Sequence, residues 1–157
     1  MFMKLINVFF LAFAIMAFGA SCNNAAQTKA DPAEQQTAEQ NLWDSMMVTH
    51  DEVMPMMTSI EKIKQILNEQ KETVTGEDEK SIIKVALSDL NSADEAMWTW
   101  MNDLQKLEDL RKDKSHDEIM TYLNEQNDAI SQVQHDINKS ILNGEKAIAS
   151  LKVEVKK

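Results

Sequence analysis

From Leu42 onward, apolar residues recur at intervals of three and four, which is the period of a helix with one buried face and not the alternation of a strand. A first seam runs Leu42, Met46, Thr49, Val53, Met56, Ile60, Ile63, Leu67. A second runs Ile83, Ala86, Leu90, Ala93, Met97, Trp100, Leu104, Leu107. A third runs Ile119, Leu123, Gln126, Ile130, Val133, Ile137, Ile141, Ile148, Leu151. The spacing lies close to a heptad, so left-handed, coiled-coil-like packing is expected.

The punctuation between seams is legible. In TVTGEDE (73–79), Gly76 is expected to end the first helix, and the acids after it suit the start of a second. The basic residues of RKDKS (111–115) are expected to close the second helix. SHDE (115–118) reads as a capping box, with Ser115 at the N-cap and Glu118 three residues later. Both connections are short, so sequential helices should run antiparallel. The predicted fold class is all-α: an antiparallel three-helix up-down-up bundle, each helix of roughly 30 residues and about 45 Å. Gly144 is a candidate for kinking or shortening the last helix. Pro55 falls inside the first helix, yet the apolar phase runs unbroken from Val53 to Ile60. A kinked but continuous helix is predicted there, with the carbonyl of Asp51 left without its usual donor.

The N-terminal residues do not fit this pattern. Lys4 is followed by a nearly unbroken apolar run, Leu5 to Ala20, then by Ser21 and the chain's single cysteine, Cys22. This order is that of a secretory signal spanning residues 1–21, either an ordinary signal peptide followed by a spare cysteine or one of the lipoprotein type. It resembles the lipobox of bacterial lipoproteins, which implies that Cys22 is lipidated; Gly19 departs from the leucine common in that box. Residues 22–39, polar and poor in large apolar groups, read as the lipidated cysteine and a flexible tether. Residues 40–157 are then the bundle. The expected location is the cell envelope, with an exported, membrane-anchored domain. One cysteine permits no internal disulfide, so the core must hold the fold alone.

Charge narrows the partners. Removing Lys4 with the signal leaves 15 basic against 26 acidic residues, a net charge of −11, and Arg111 is the only arginine. Nucleic-acid binding needs a basic footprint that this chain lacks. Anionic head groups would be repelled as well, so a lipid and not a basic surface is the expected membrane contact.

One stretch carries more apolar surface than a bundle helix needs. Beside the first seam, Trp43, Met47, His50, Met54 and Met57 form a second stripe, which turns polar at Glu61 and Lys64. The second helix has a smaller surplus at Trp98 and Met101, within AMWTWM (96–101). Folding the hairpin about residue 75 brings His50 level with Trp100, and the third helix arrives there near Tyr122 to Ala129. The candidate interaction face is therefore Trp43, Met47, His50, Met54, Met57, Trp98 and Met101. Methionine fills irregular gaps around a kink, so core packing is one reading of the cluster. A binding face for a protein partner or a second copy is another. A third is a copper(I) site, with His50, Met46, Met54 and Met97 as candidate ligands, because thioether and imidazole suit that soft ion. Covalent haem attachment through CxxCH is impossible with one cysteine, and a His/Met haem would need a cavity that large residues fill. His116, in the capping turn, and His135, between seam positions, are both expected to face solvent.

The remaining chemistry is thin. There is no HExxH, no Glu-x-x-His pair, no Gly-rich phosphate loop and no GxSxG. Asp51 and Glu52 beside His50 face different directions on a helix and read as a solvated edge. A non-enzymatic role without a resident cofactor is expected.

HDEVMP (50–55), EAMWTWM (95–101) and YLNEQNDAISQVQHDINKSI (122–141) resemble a set of small lipoproteins of the Bacteroidetes, often labelled "viral A-type inclusion protein". The resemblance spans most of the mature chain and the signal. It implies a lipoprotein with a helical domain. The label itself describes likeness to a coiled-coil viral protein and names no activity.

Overall fold

The computed structural model describes residues 31–154, with side chains as far as Leu151. The signal segment 1–21, Cys22 and the tether before Asp31 lie outside the described residues. Four helices follow one another: α1 (Pro32–Lys71), α2 (Glu77–Asp103), α3 (Leu107–Asp113) and α4 (His116–Glu154). The described residues contain no strand, so the fold is all-α, as the periodicity predicts. No helix among them is long and apolar enough to cross a membrane.

Contacts between side chains give the helix directions. Lys64 meets Asp94 and His50 meets Trp100, so positions fall along α2 as they rise along α1. Asn143 donates to Asp89, and Trp100 to the carbonyl of Gln126, which sets α4 against α2 in the same sense. His116 lies on Glu39 and Gln134 on Glu52, so α4 runs alongside α1 in the same direction. Between them lies a core of Met46, Val53, Ile60, Leu67, Ile83, Leu90, Met97, Ile130 and Ile137, all fully buried. These are members of the three predicted seams.

The boundaries differ from the sequence reading in four places, each for a local reason. First, α1 begins about two turns before residue 40, so 32–39 is helix and not tether. Asp31 caps it by accepting from the Ala33 N–H at 2.9 Å, and Pro32 occupies the first position, where its missing donor costs nothing. Second, Gly76 does not end α1, which closes at Lys71; it is the N-cap of α2, with ordinary extended dihedrals. Third, α2 stops at Asp103 instead of running into the 110s, because Leu104 turns extended and α3 forms separately. Leu107 and Leu110 leave the main seam there and bury against Ile119 and Leu123 in a second small core, with Trp43 touching both clusters. The phenolic oxygen of Tyr122 accepts the Gln105 N–H at 2.8 Å and fixes the link. Fourth, Gly144 neither kinks α4 to an end nor shortens it; the helix continues to Glu154. A Cβ at 144 would stand 2.5 Å from Ile63 Cγ2 and 3.3 Å from Leu90 Cδ1, so this glycine lets α4 lie close against both α1 and α2.

Two local expectations hold. α1 passes through Pro55 without interruption, as its apolar phase indicates. The capping box forms: the Ser115 N–H and hydroxyl both donate to Glu118 Oε2, at 2.8 and 2.6 Å. Those bonds hold the Glu118 carboxyl below its ordinary range.

Candidate functional site

The hairpin register brings the Met/Trp surplus together at one height. The rings of His50 and Trp100 lie 5.8 Å apart between centroids, tilted by 32°. The indole N–H of Trp100 donates to the Gln126 carbonyl at 3.3 Å, inside the stretch of α4 expected at this level. Met46 and Met97 are fully buried, while Trp43, Met47, Met54, Met57 and Met101 are half-buried and pack against the same core. Most of the candidate face is thus the flank of the core. His50 keeps an open edge, and its Nδ1 lies 2.9 Å from Asp51 Oδ1.

Trp98 is the exception. It is 54% exposed, yet its indole N–H donates to Asp94 Oδ1 at 3.1 Å. Asp94 is itself fixed, since its other oxygen accepts from Lys64 Nζ at 3.0 Å, and Lys64 also reaches Glu61 at 2.6 Å. Burial lowers the Lys64 pKa, but the bonds from Glu61 and Asp94 outweigh it and raise it above its ordinary value. The chain Glu61–Lys64–Asp94–Trp98 therefore pins a large aromatic ring, still half in solvent, on the α1 side of α2.

Of the copper candidates, Met46 and Met97 belong to the buried core cluster and Met54 packs against it, while His50 lies on Trp100 of that cluster. Among the described residues, no three His, Cys, Asp or Glu side chains converge on a metal-sized site. Cys22 lies outside the described residues. His135 is exposed, as expected.

His116 does not face solvent as the capping turn suggested. Its Nδ1 lies 2.9 Å from Glu39 Oε1, and Arg111 Nε donates to Glu39 Oε2 at 2.8 Å. Arg111 Nη2 continues to the Gln36 carbonyl at 3.0 Å. Glu39 is only 3% exposed, so the one arginine of the chain and one histidine clasp a buried carboxylate that joins α1 to α3 and α4. Burial pushes the Glu39 pKa up; the bonds and charges of Arg111 and His116 outweigh that push and hold it below its usual 4.5. A carboxylate only accepts, so the His116 proton sits on Nδ1. Residues 72 and 77 positions apart cannot be paired by local spacing, and Glu39 lay in the segment read as tether. The one available signal was that the only arginine stands in a chain otherwise served by lysine, since arginine is the residue suited to buried forked pairing.

A second feature missed by the seams lies on the other flank of α2. Ile82 and Val85, 42 and 59% exposed, line a groove between α2 and α4 of about 630 Å³, and Leu142 on α4 is 50% exposed. The floor of the groove is Ala86 and Ala147. The signal was present in the sequence as apolar residues at 82 and 85 beside the seam positions 83 and 86. No family model matches the chain, and comparison with curated proteins and with solved structures gives no match.

Proposed function

We propose that this protein is a lipid-anchored, non-enzymatic component of the cell envelope whose helical domain binds a protein partner. The three long helices are taken to be an up-down-up bundle with coiled-coil-like packing, and α3 a brace across its base. Trp98 carries the partner-binding reading. A tryptophan held half in solvent by a chain of three polar side chains is already ordered before a partner arrives, so docking costs little side-chain entropy. Half-buried Met57 and Met101 belong to the same apolar flank and offer adaptable contact. The anchor reading rests on the sequence before and at Cys22.

The test has two arms. Palmitate labelling of cells expressing the full chain should mark the protein, and Cys22→Ser should abolish the label; an unlabelled wild-type chain would sink the anchor. A photo-crosslinking residue at position 98 should capture a distinct protein that a probe at exposed Thr58 does not. Identical patterns at both positions would sink the Trp98 surface.

Copper(I) is the second reading, favoured by Met46, Met54 and Met97 belonging to one core cluster with the His50 ring lying against Trp100 of it. Binding there would draw on the thioethers of Met46 and Met97, both fully buried. Competition against a chromogenic chelator under reducing conditions tests it. Stoichiometric binding lost in His50→Ala/Met54→Leu supports the site, because methionine to leucine nearly conserves volume. No competition rejects it.

A further inference from the structure

We infer that the α2/α4 groove pairs two copies of this chain side by side, in parallel, independently of the Trp98 surface and of the anchor. Asp94 reaches α1, which places Trp98 on the α1 side of α2, whereas Asp89 accepts from Asn143 and lies on the α4 side. The groove is therefore a different surface from the proposed partner site. Two exposed aliphatic side chains, Ile82 and Val85, line it, and its floor is alanine, so a second pair of helices can approach closely.

The charges around the groove select the occupant. The α2 wall carries Asp78 and Asp89, and the α4 wall carries Lys139 and Lys146, with Asp136 at its lower end. Among the described residues neither lysine forms an ion pair. The α2 wall is acidic, and both lysines stand on the opposite wall, on a chain whose net charge is −10. A two-fold axis parallel to the helices lays α2 of each copy over α4 of the other. Asp89 is level with Asn143, so it then meets Lys139 and Lys146, one turn to either side, twice over. An axis across the helices would instead stack acid on acid and lysine on lysine. The charge pattern is thus self-complementary in the parallel arrangement only, which is also the arrangement open to two chains held by one membrane. The apolar area is small, so the pair should be weak in dilute solution and favoured by confinement to a surface.

The experiment uses two full-length chains with different tags, co-expressed, one with Val85→Cys and the other with Ser150→Cys, which leaves both lysines in place, treated with a short bis-maleimide. A mixed-tag product above the background of unsubstituted chains is expected. Asp89→Lys in both chains should lower the yield about tenfold, and adding Lys139→Asp in both should restore it. Circular dichroism confirms that these surface variants fold. No mixed product, a product indifferent to the charge swap, or capture of a different protein instead would each overturn the proposal. Loss of the lipid label with the crosslink retained would remove the anchor and leave this pairing standing.

Discussion

The two ends of the helical domain treat their surplus side chains in opposite ways. At the base, where α1 and α4 begin, α3 folds back and covers a small core of Leu107, Leu110, Ile119 and Leu123, and even a carboxylate is buried there. At the far end, beside the α1/α2 turn, no element among the described residues lies over the α2/α4 flank, and Ile82, Val85 and Leu142 stand in solvent. A helix packed on two neighbours buries one stripe, and any further apolar stripe needs a further cover. The base supplies its own cover. The far end has none among the described residues, which is why a surface there can be read as an interface.

The largest effect expected from this contrast is at the base. Leu123→Ala should cost about 2–5 kcal/mol in urea unfolding, the range for emptying a fully buried leucine site. A cost below about 1 kcal/mol would mean that the small core contributes little and the contrast between ends is false.

Arg111→Ala should cost about 3 kcal/mol, because it strands the buried Glu39 carboxylate with His116 alone; the lower end of the range of about 3–5 kcal/mol for broken buried pairs applies since Arg111 keeps some exposure. Arg111→Lys should recover little of it, because one ammonium cannot reproduce the fork to Glu39 and the Gln36 carbonyl. Full recovery by lysine would reduce the clasp to a simple charge contact.

The same clasp sets an acid limit. Glu39 is held below its ordinary 4.5, so its contribution is complete at and above that pH and is lost as pH falls through its folded value. Glu39→Gln should therefore be less stable than wild type at neutral pH, with the gap closing on acidification below 4.5. Urea midpoints at several pH values measure this, and a constant gap would remove Glu39 from the acid response.

At the far end the effects shrink. Gly144→Ala gains up to about 1 kcal/mol of helix propensity but drives a methyl into Ile63, whose branched Cγ2 cannot swing away. Overpacking of this kind costs about 1–3 kcal/mol, so a net loss near 1 kcal/mol is expected from thermal or urea melts. Stabilisation would show that α1 and α4 can part there. Val85→Ser should change stability by less than about 0.5 kcal/mol, since it removes an exposed side chain. A larger cost under monomeric conditions would mean that the far end is packed after all.

The middle of the molecule shows how much was legible beforehand. The meeting of His50 with Trp100 followed from hairpin counting, because two antiparallel helices joined by a short turn have little freedom in register. Met46 and Met97 are core by the same seams that announced the helices. Which members of the second stripe stay open could not be counted, because it depends on how far each neighbouring helix wraps round. Trp98 is exposed and Met54 is not, although both were placed on the same face.

By itself the sequence determined the all-α class, three of the four helices, the continuity of α1 through Pro55 and the capping box at Ser115. Each depends on spacing within a turn or two. Tertiary structure alone decided the early start of α1, the break at Leu104, the role of Gly144 and the burial of Glu39 between Arg111 and His116. Each of these joins residues far apart in the chain, and periodicity, which reports which face of a helix is apolar, carries no record of what will cover it.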